Sequence, residues 1–179
     1  MYDKGIYISL EFLGAPQGGT YVGGLNDRGQ ILGQYGDGRN DHGFIYDRGF
    51  NTALPDFPGV RLTYPQSIND RGQIVGYAYD NNFVVTSFTY EKGGYTPLAA
   101  PGAVHGTSLS DINNHGQIVG TWYDGAFNIH SFVYEKCTYP TVEIPGAQIT
   151  AAYGINDLGQ IIGTCYDADS LPHGFVLRR

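Results

Sequence analysis

Apolar and polar residues alternate in short runs along the chain, and turn residues separate the runs. In residues 117–124, "QIVGTWYD", Ile118 and Trp122 fall on the same face of an extended strand. No stretch shows the 3.6-residue period of an amphipathic helix. The pattern predicts an all-β protein built from units of four short antiparallel strands, labelled a to d. The other three strands of this unit are predicted at residues 106–113, 130–136 and 139–144.

One nine-residue segment occurs four times. "INDRGQIVG" at 68–76 recurs with small changes at 25–33, 112–120 and 155–163, about 43 residues apart. Its asparagine and first glycine are typical of a tight turn between strands a and b, because Asn bonds the turn backbone and Gly adopts positive φ. Four-stranded units of roughly 40–45 residues are typical of propeller blades.

The four units predict a single β-propeller domain over residues 1–179. The fourth unit has strands a, b and c only, whereas "IYISLEFLG" at 6–14 precedes Pro16 as strand d precedes Pro-Gly elsewhere. We therefore expect the N-terminal strand to close the last blade and complete a four-bladed ring, which removes exposed sheet edges. The alternatives are an open solenoid of four sheets, or two chains that share an eight-bladed ring. The predicted blades cover about 18–57, 61–100, 105–144, and 148–179 together with 6–13.

Composition and charge exclude some partners. The formal net charge is −7 and the 10 Lys and Arg residues form no cluster, so nucleic acid and anionic membranes are poor candidates. No apolar run approaches the length of a membrane span, and "MYDKGIYISL" shows no signal peptide. Two cysteines, Cys137 and Cys165, do not make a disulfide framework. The sequence does not indicate an oligomeric state.

Residues 13–33 and 41–59, with His-Gly-Phe at 42–44 and 173–175, resemble the bacterial HAF repeat, a family of probable extracellular repeats. The resemblance covers nearly the whole chain, although Ser-Phe at 87–88 and 131–132 replaces His-Gly-Phe in the middle units. It implies an extracellular or cell-surface setting and brings no established catalytic residues.

The loops between strands b and c differ between units, and such loops on a rigid scaffold commonly carry function. In an up-and-down unit they share one face with the d–a links. A tyrosine ends each strand b, an acid follows it, and two loops contain a phenylalanine. Aromatic rings beside carboxylates suit a carbohydrate or a peptide-like ligand. An alternative is that Tyr packs at the strand end and Asp caps its own loop. The candidate ligand-binding residues are Tyr35, Tyr79, Tyr123, Tyr166, Asp80, Asp124, Asp167, Phe83 and Phe127.

The leading hypothesis is a non-enzymatic, lectin-like binding module, and whether the chain is an enzyme stays open. The alternative enzyme is a small lyase or hydrolase that uses His42 or His173 with a nearby Asp or Tyr as acid and base. These two histidines would be neighbours if the ring closes between blades 4 and 1. A structural or assembly role is the third hypothesis. No cofactor or metal is expected, and Ca²⁺ is only weakly indicated, since no loop matches a complete calcium loop.

Overall fold

The computed structural model describes residues 2–3, 6–7, 9–12 and 19–178, which contain strands and turns but no helix. The all-β class predicted from the alternating pattern is therefore confirmed. In this described part of the chain no helix could cross a membrane.

The strands form four successive antiparallel units, called blades 1 to 4. Two further short strands, β1 (Tyr2–Asp3) and β2 (Ile6–Tyr7), pair with each other. Blade 1 contains β3 (Thr20–Leu25), β4 (Ile31–Gly36), β5 (Asp41–Asp47) and β6 (Phe50–Ala53). Blade 2 contains β7 (Leu62–Ile68), β8 (Ile74–Tyr79), β9 (Val85–Glu91) and β10 (Gly94–Pro97). Blade 3 contains β11 (Thr107–Ile112), β12 (Ile118–Tyr123), β13 (Ile129–Tyr134) and β14 (Thr141–Val142). Blade 4 contains β15 (Ile149–Ile155), β16 (Ile161–Tyr166) and β17 (Pro172–Leu177).

The repeated asparagine organises each a–b turn. In blade 3, Asn113 Oδ1 accepts hydrogen bonds from the main-chain N–H groups of His115 and Gln117, both at 3.0 Å. Gly116 adopts φ +79° and donates its N–H to Asn113 O at 3.0 Å. An L residue with a side chain rarely adopts this conformation. The turn therefore requires both the Asn and the Gly that the sequence repeats.

A second repeated glycine lets a phenylalanine pack against strand b. A Cβ on Gly120 would lie 2.2 Å from Ser108 O and 3.1 Å from Phe132 Cζ. Gly120 and Phe132 are register partners on β12 and β13, and Phe132 is fully buried. The glycine thus provides the space that the ring and the adjacent strand occupy. The same pairing occurs at Gly33–Phe44, Gly76–Phe88 and Gly163–Phe175.

The hydrophobic core lies between blades rather than at a single centre. One cluster joins blades 1 and 2 around Leu32 and Ile74, and a second joins blades 2 and 3 around Val75 and Leu109. The third, between blades 3 and 4, contains Val119, Val133, Val142, Ala152, Ile155 and Ile161. Each blade is therefore stabilised by its neighbours in the chain, as in other repeat architectures.

The four blades form an open arc, so the prediction of a closed four-bladed ring is wrong. Strands of blade 4 pack on blade 3, and strands of blade 1 pack on blade 2. No described strand of blade 4 packs extensively on a strand of blade 1. A closed ring of four requires blade 4 to pack on blade 1 as the other blades pack on their neighbours. The repeat count gives the number of blades but not the angle between them.

The predicted closing strand at 6–13 is also wrong for the described residues of that segment. Ile6–Tyr7 pairs with Tyr2–Asp3, and residues 9–12 lie on blade 1 instead of blade 4. Phe12 donates its N–H to Thr20 Oγ1 at 3.2 Å, and its ring stacks on Tyr35 at 3.8 Å. These contacts hold the segment beside the blade that follows it in the chain. Residues 8, 13 and 14 of the predicted strand lie outside the described residues.

Candidate functional site

Each b–c loop is organised by the aspartate that follows strand b. In blade 3, Asp124 Oδ1 accepts hydrogen bonds from the N–H groups of Ala126 and Asn128 at 2.8 and 2.9 Å. Asp80 and Asp167 each accept two backbone N–H bonds in the same way, at 2.7 to 2.9 Å. One carboxylate oxygen of each therefore holds the loop. A direct role of these aspartates in ligand contact stays a prediction.

In blades 1, 3 and 4 the second oxygen of the loop aspartate, which is Asp37 in blade 1, faces a histidine at the start of strand c. His130 Nε2 lies 3.2 Å from Asp124 Oδ2, and His173 Nε2 lies 2.8 Å from Asp167 Oδ2. In blade 1, His42 lies between two carboxylates. Its Nε2 is 3.3 Å from Asp37 Oδ2, and its Nδ1 is 2.7 Å from Asp56 Oδ1.

Hydrogen bonds keep these carboxylates ionised. Backbone N–H groups of Asn40 and Arg39, and then His42, lower the pKa of Asp37 to about 2. The side chain and backbone of Asn128 lower the pKa of Asp124, and His173 lowers the pKa of Asp167. Burial acts to lower the pKa of His42, but its bonds to Asp56 and Asp37 outweigh burial and raise it. These three carboxylates therefore stay ionised at neutral pH.

The open arc does not bring His42 and His173 together. They belong to blades 1 and 4, and each is paired with carboxylates of its own blade. Both ring nitrogens of His42 are engaged by carboxylates, so the ring has no nitrogen left to take a proton from a substrate. In the described part of the chain, no group of three or more His, Cys, Asp or Glu could hold a metal ion.

The two loop phenylalanines have strained backbones and exposed rings. Phe83 and Phe127 adopt φ of +59° and +64°, where bulky L residues are rare. Their exposures are 75% and 67%. Ser170 occupies the same place in blade 4 with φ +61°, so the turn itself imposes this conformation. Blades 2 and 3 thus place an exposed aromatic ring where Gly or Asn would fit the backbone better.

The tyrosines that end strand b have different environments. Tyr35 stacks on Phe12 with an interplanar angle of 10°, and its ring is half-buried. Tyr166, like Tyr79 and Tyr123, accepts a hydrogen bond at its main-chain oxygen from the link that precedes strand a, here from Gln148 N at 2.8 Å. Tyr79 and Tyr123 line a common cleft between blades 2 and 3. Of the four predicted tyrosines, these two are brought together.

This cleft, called the blade 2–3 cleft, has a volume of about 260 Å³. Blade 2 contributes Tyr77, Tyr79 and Val85, and blade 3 contributes His105 and Tyr123, with the backbone of 106–108. At its rim the ring of Phe127 stacks on His105, with centroids 3.7 Å apart and planes 5° apart. The rings of Tyr77 and Tyr79 meet edge to face at 5.6 Å. The result is an aromatic cleft with hydroxyl and imidazole groups at its wall.

Sequence reasoning missed Tyr77 and His105. Tyr77 lies two residues before Tyr79 on β8, so strand alternation places both on one face. That spacing could have identified it. His105 lies in the d–a link, and only the folded arrangement of blades 2 and 3 places it under Phe127.

A second cleft lies between blades 3 and 4 and was not predicted. Its volume is about 530 Å³, and its polar lining includes Asn128, His130, Glu143 and Gln148. His130 stacks on Trp122 with centroids 4.2 Å apart. Both clefts lie where the b–c loop face meets the d–a link of the next blade. A cleft between adjacent blades thus occurs more than once among the described residues.

Comparisons with known proteins support the fold. No protein-family model matches the chain, and no curated protein is significantly similar to it. TolB from Acinetobacter baumannii is similar with a TM-score of 0.68 and 12% identity, over 90% of this chain and 41% of that one. AofleA from Arthrobotrys oligospora is similar with a TM-score of 0.55 and 16% identity, over 92% and 56%.

A variant of the Aleuria aurantia lectin in complex with Fucα1-6GlcNAc is similar with a TM-score of 0.50 and 13% identity, over 88% of this chain and 57% of that one. That lectin has a six-bladed β-propeller fold. The chain spans less than two thirds of the length of each of these proteins. It is therefore an all-β, propeller-like arc, and the likeness extends to the fold alone.

Proposed function

We propose that this chain is a non-enzymatic carbohydrate-binding module that holds its ligand in clefts between adjacent blades. The observation that carries the proposal is the blade 2–3 cleft. Tyr79 and Tyr123 line it together with His105, and Phe127 extends the aromatic surface at its rim. Sugar rings present C–H faces that stack on aromatic rings, and hydroxyls that bond to polar groups at the wall.

The exposed Phe127 adds to this argument. Its backbone conformation costs roughly 1–2 kcal/mol for an L residue, and its ring remains mostly in solvent while stacked on His105. A ligand would bury this ring and recover part of that cost. The lectin structures of similar fold support the same class of ligand, since one of them holds Fucα1-6GlcNAc.

The wider setting forms part of the proposal. The resemblance to the HAF repeat supports an extracellular or cell-surface location, where glycans are available. The open arc and the doubly paired His42 favour binding over the alternative lyase or hydrolase.

The test is isothermal titration of the purified protein with Fucα1-6GlcNAc and with a panel of common monosaccharides. We expect saturable binding that Tyr79→Ala or Phe127→Asn weakens at least tenfold. The matched control is Phe50→Ala, because Phe50 is equally exposed but lies at a c–d turn on the opposite face. Binding of a peptide library in place of every sugar, or no binding by a folded protein, would overturn the proposal.

A further inference from the structure

The two ends of the arc expose residues that every other blade buries. Leu25 of blade 1 is 64% exposed. Its repeat equivalents Ile68, Ile112 and Ile155 are 4%, 6% and 7% exposed, because each packs against the preceding blade. Blade 1 therefore carries a complete packing face with no blade against it among the described residues. Val22 and Leu10 border the same face, in a mainly apolar groove of about 250 Å³.

Blade 4 exposes the opposite half of the same interface. Ile162 is 53% exposed, whereas its equivalents Leu32, Val75 and Val119 are fully buried against the following blade. Val176 beside it is also exposed, although its equivalent Val133 is buried in the core between blades 3 and 4. Apolar patches of this kind on a soluble protein mark interaction sites.

A hydrogen-bond ladder shows that the two end faces are chemically complementary. The repeated asparagines of blades 1, 2 and 3 each donate a side-chain N–H to the main-chain oxygen of the equivalent asparagine in the next blade, at 3.0 Å each time. The next residue donates its main-chain N–H to the side chain of its own equivalent, at 2.7 to 3.0 Å. These six bonds all run from one blade to the following blade. Two other bonds run the opposite way, from Asn114 Nδ2 to Asp70 Oδ2 at 3.2 Å and from Ile155 N to Asp111 Oδ2 at 2.8 Å.

The ladder therefore ends with donors on blade 4 and acceptors on blade 1. Asn156 Nδ2 and the N–H of Asp157 donate to no described group of a following blade. Asn26 O and Asp27 Oδ1 accept no bond from a described group of a preceding blade. Blade 1 therefore has acceptors equivalent to those with which blades 2, 3 and 4 each bond the preceding blade. These acceptors match the donors of blade 4.

Blade 4 also lacks a fourth strand. β17 pairs with β16 on one side and with no described strand on the other, whereas β5, β9 and β13 each pair with a strand d. Residues 9–12 correspond to the end of such a strand d. The N–H of Phe12 bonds Thr20 Oγ1, as Phe57, Ala100 and Ile144 bond Thr63, Thr107 and Thr150 at the ends of the other strand d segments.

We propose that two copies of this chain associate head to tail, with blade 4 of each copy packed on blade 1 of the other. Ile162 and Val176 of one copy meet Val22 and Leu25 of the other, and Asn156 and Asp157 donate to Asn26 and Asp27. Residues 9–12 of each copy then lie along the free edge of β17 of its partner. The contact occurs twice, so it closes a ring of eight blades with no end face left.

The contact repeats the packing that the chain already uses three times between its own blades. One copy cannot make it with itself in this arc, because its two faces belong to blades that do not pack together. A second copy offers both complementary faces at once. The resulting assembly is the eight-bladed ring shared by two chains, which is one of the alternatives that the sequence pattern allows.

The test is light scattering coupled to size-exclusion chromatography. We expect twice the 19.5 kDa mass of the chain. Leu25→Asp and Ile162→Asp each place a charge in the contact and should give monomers with unchanged circular dichroism. Phe50→Asp is the matched control, since this equally exposed residue lies outside both faces, and it should remain a dimer.

Mixing the two monomeric variants identifies which faces meet. The Leu25→Asp copy retains its blade 4 face and the Ile162→Asp copy retains its blade 1 face, so an equimolar mixture should form a heterodimer through one contact. If blade 1 instead packed on blade 1 of the partner, or blade 4 on blade 4, one of the two single variants would remain a dimer by itself. A monomeric or polymeric parent protein, or a dimer that survives both substitutions, would overturn the proposal.

Discussion

The Asn69 side chain donates a 3.0 Å hydrogen bond from Nδ2 to the main-chain oxygen of Asn113 in the next blade. The same side chain accepts hydrogen bonds at Oδ1 from Arg71 N and Gln73 N of its own turn, both at 3.0 Å. Asn69 is buried, so these groups have no water to replace a lost partner. One residue therefore shapes a turn and joins two blades.

This double role predicts unequal costs for the same substitution in two blades. Asn156 makes the turn bonds but none to a following blade, and it is exposed. We expect Asn69→Ala to lower the free energy of unfolding by about 2–4 kcal/mol and Asn156→Ala by about 1 kcal/mol. Urea denaturation measures both, in a Leu25→Asp background so that subunit association does not contribute. Equal losses would show that the bond between blades adds nothing to stability.

The glycine of strand b gives a second contrast within the repeat. A Cβ on Gly120 would lie 2.2 Å from a main-chain oxygen, whereas a Cβ on Gly174 meets nothing within 4 Å. We expect Gly120→Ala to cost about 2–4 kcal/mol, because backbone and the Phe132 ring must shift. Gly174→Ala should change the free energy of unfolding by less than about 0.5 kcal/mol. Thermal unfolding of both variants in a Leu25→Asp background, which keeps Gly174 outside the proposed subunit contact, checks this. A tolerated Gly120→Ala would refute the packing argument.

The sequence predicted what depends on contacts within one blade. Strand positions and the a–b turn follow from alternation and from the residues that repeat, because these interactions are local. The prediction of ring closure was wrong because closure does not depend on local interactions within one blade. Closure depends on the angle between blades, which is set by packing across interfaces such as Val75 on Leu109. An alternating pattern assigns residues to one face of a strand, but it does not determine the rotation between neighbouring blades.

The candidate site shows the same division. The loop face, Tyr79, Tyr123 and Phe127 could be selected from their positions at strand ends and in variable loops. The sequence could not distinguish Tyr35, which Phe12 covers, from Tyr79, which lines a cleft. His105 could not be found either, since it meets Phe127 only when the d–a link folds over the neighbouring loop.

His42 should make stability depend on pH. Its pKa is raised in the folded protein by Asp56 and Asp37. Its contribution to stability is therefore present below the pKa of an unfolded His and is lost as pH rises through the higher folded value. We expect His42→Gln to cost about 1–2 kcal/mol at pH 5, and less at pH 8.5. Urea denaturation at the two pH values measures the difference.

The control for this prediction is His173→Gln. His173 has one carboxylate partner, and its side chain is mostly exposed, so surface screening should limit its effect at both pH values. A cost for His42→Gln that is equal at pH 5 and pH 8.5 would mean that the charge of the imidazole does not contribute.

Phe83 combines backbone strain with an exposed ring, which predicts opposite effects on stability and binding. Asn tolerates the left-handed conformation better than Phe. Phe83→Asn should therefore raise stability by up to about 1 kcal/mol, or roughly 2–4 °C in Tm. Phe50→Asn is the control, because Phe50 is equally exposed without positive φ, and it should give no such gain. If the ring is retained for ligand contact, the stabilised Phe83→Asn variant should bind sugar more weakly than the parent protein in calorimetry. Stabilisation with unchanged affinity would remove Phe83 from the site and leave the blade 2–3 cleft to act without it.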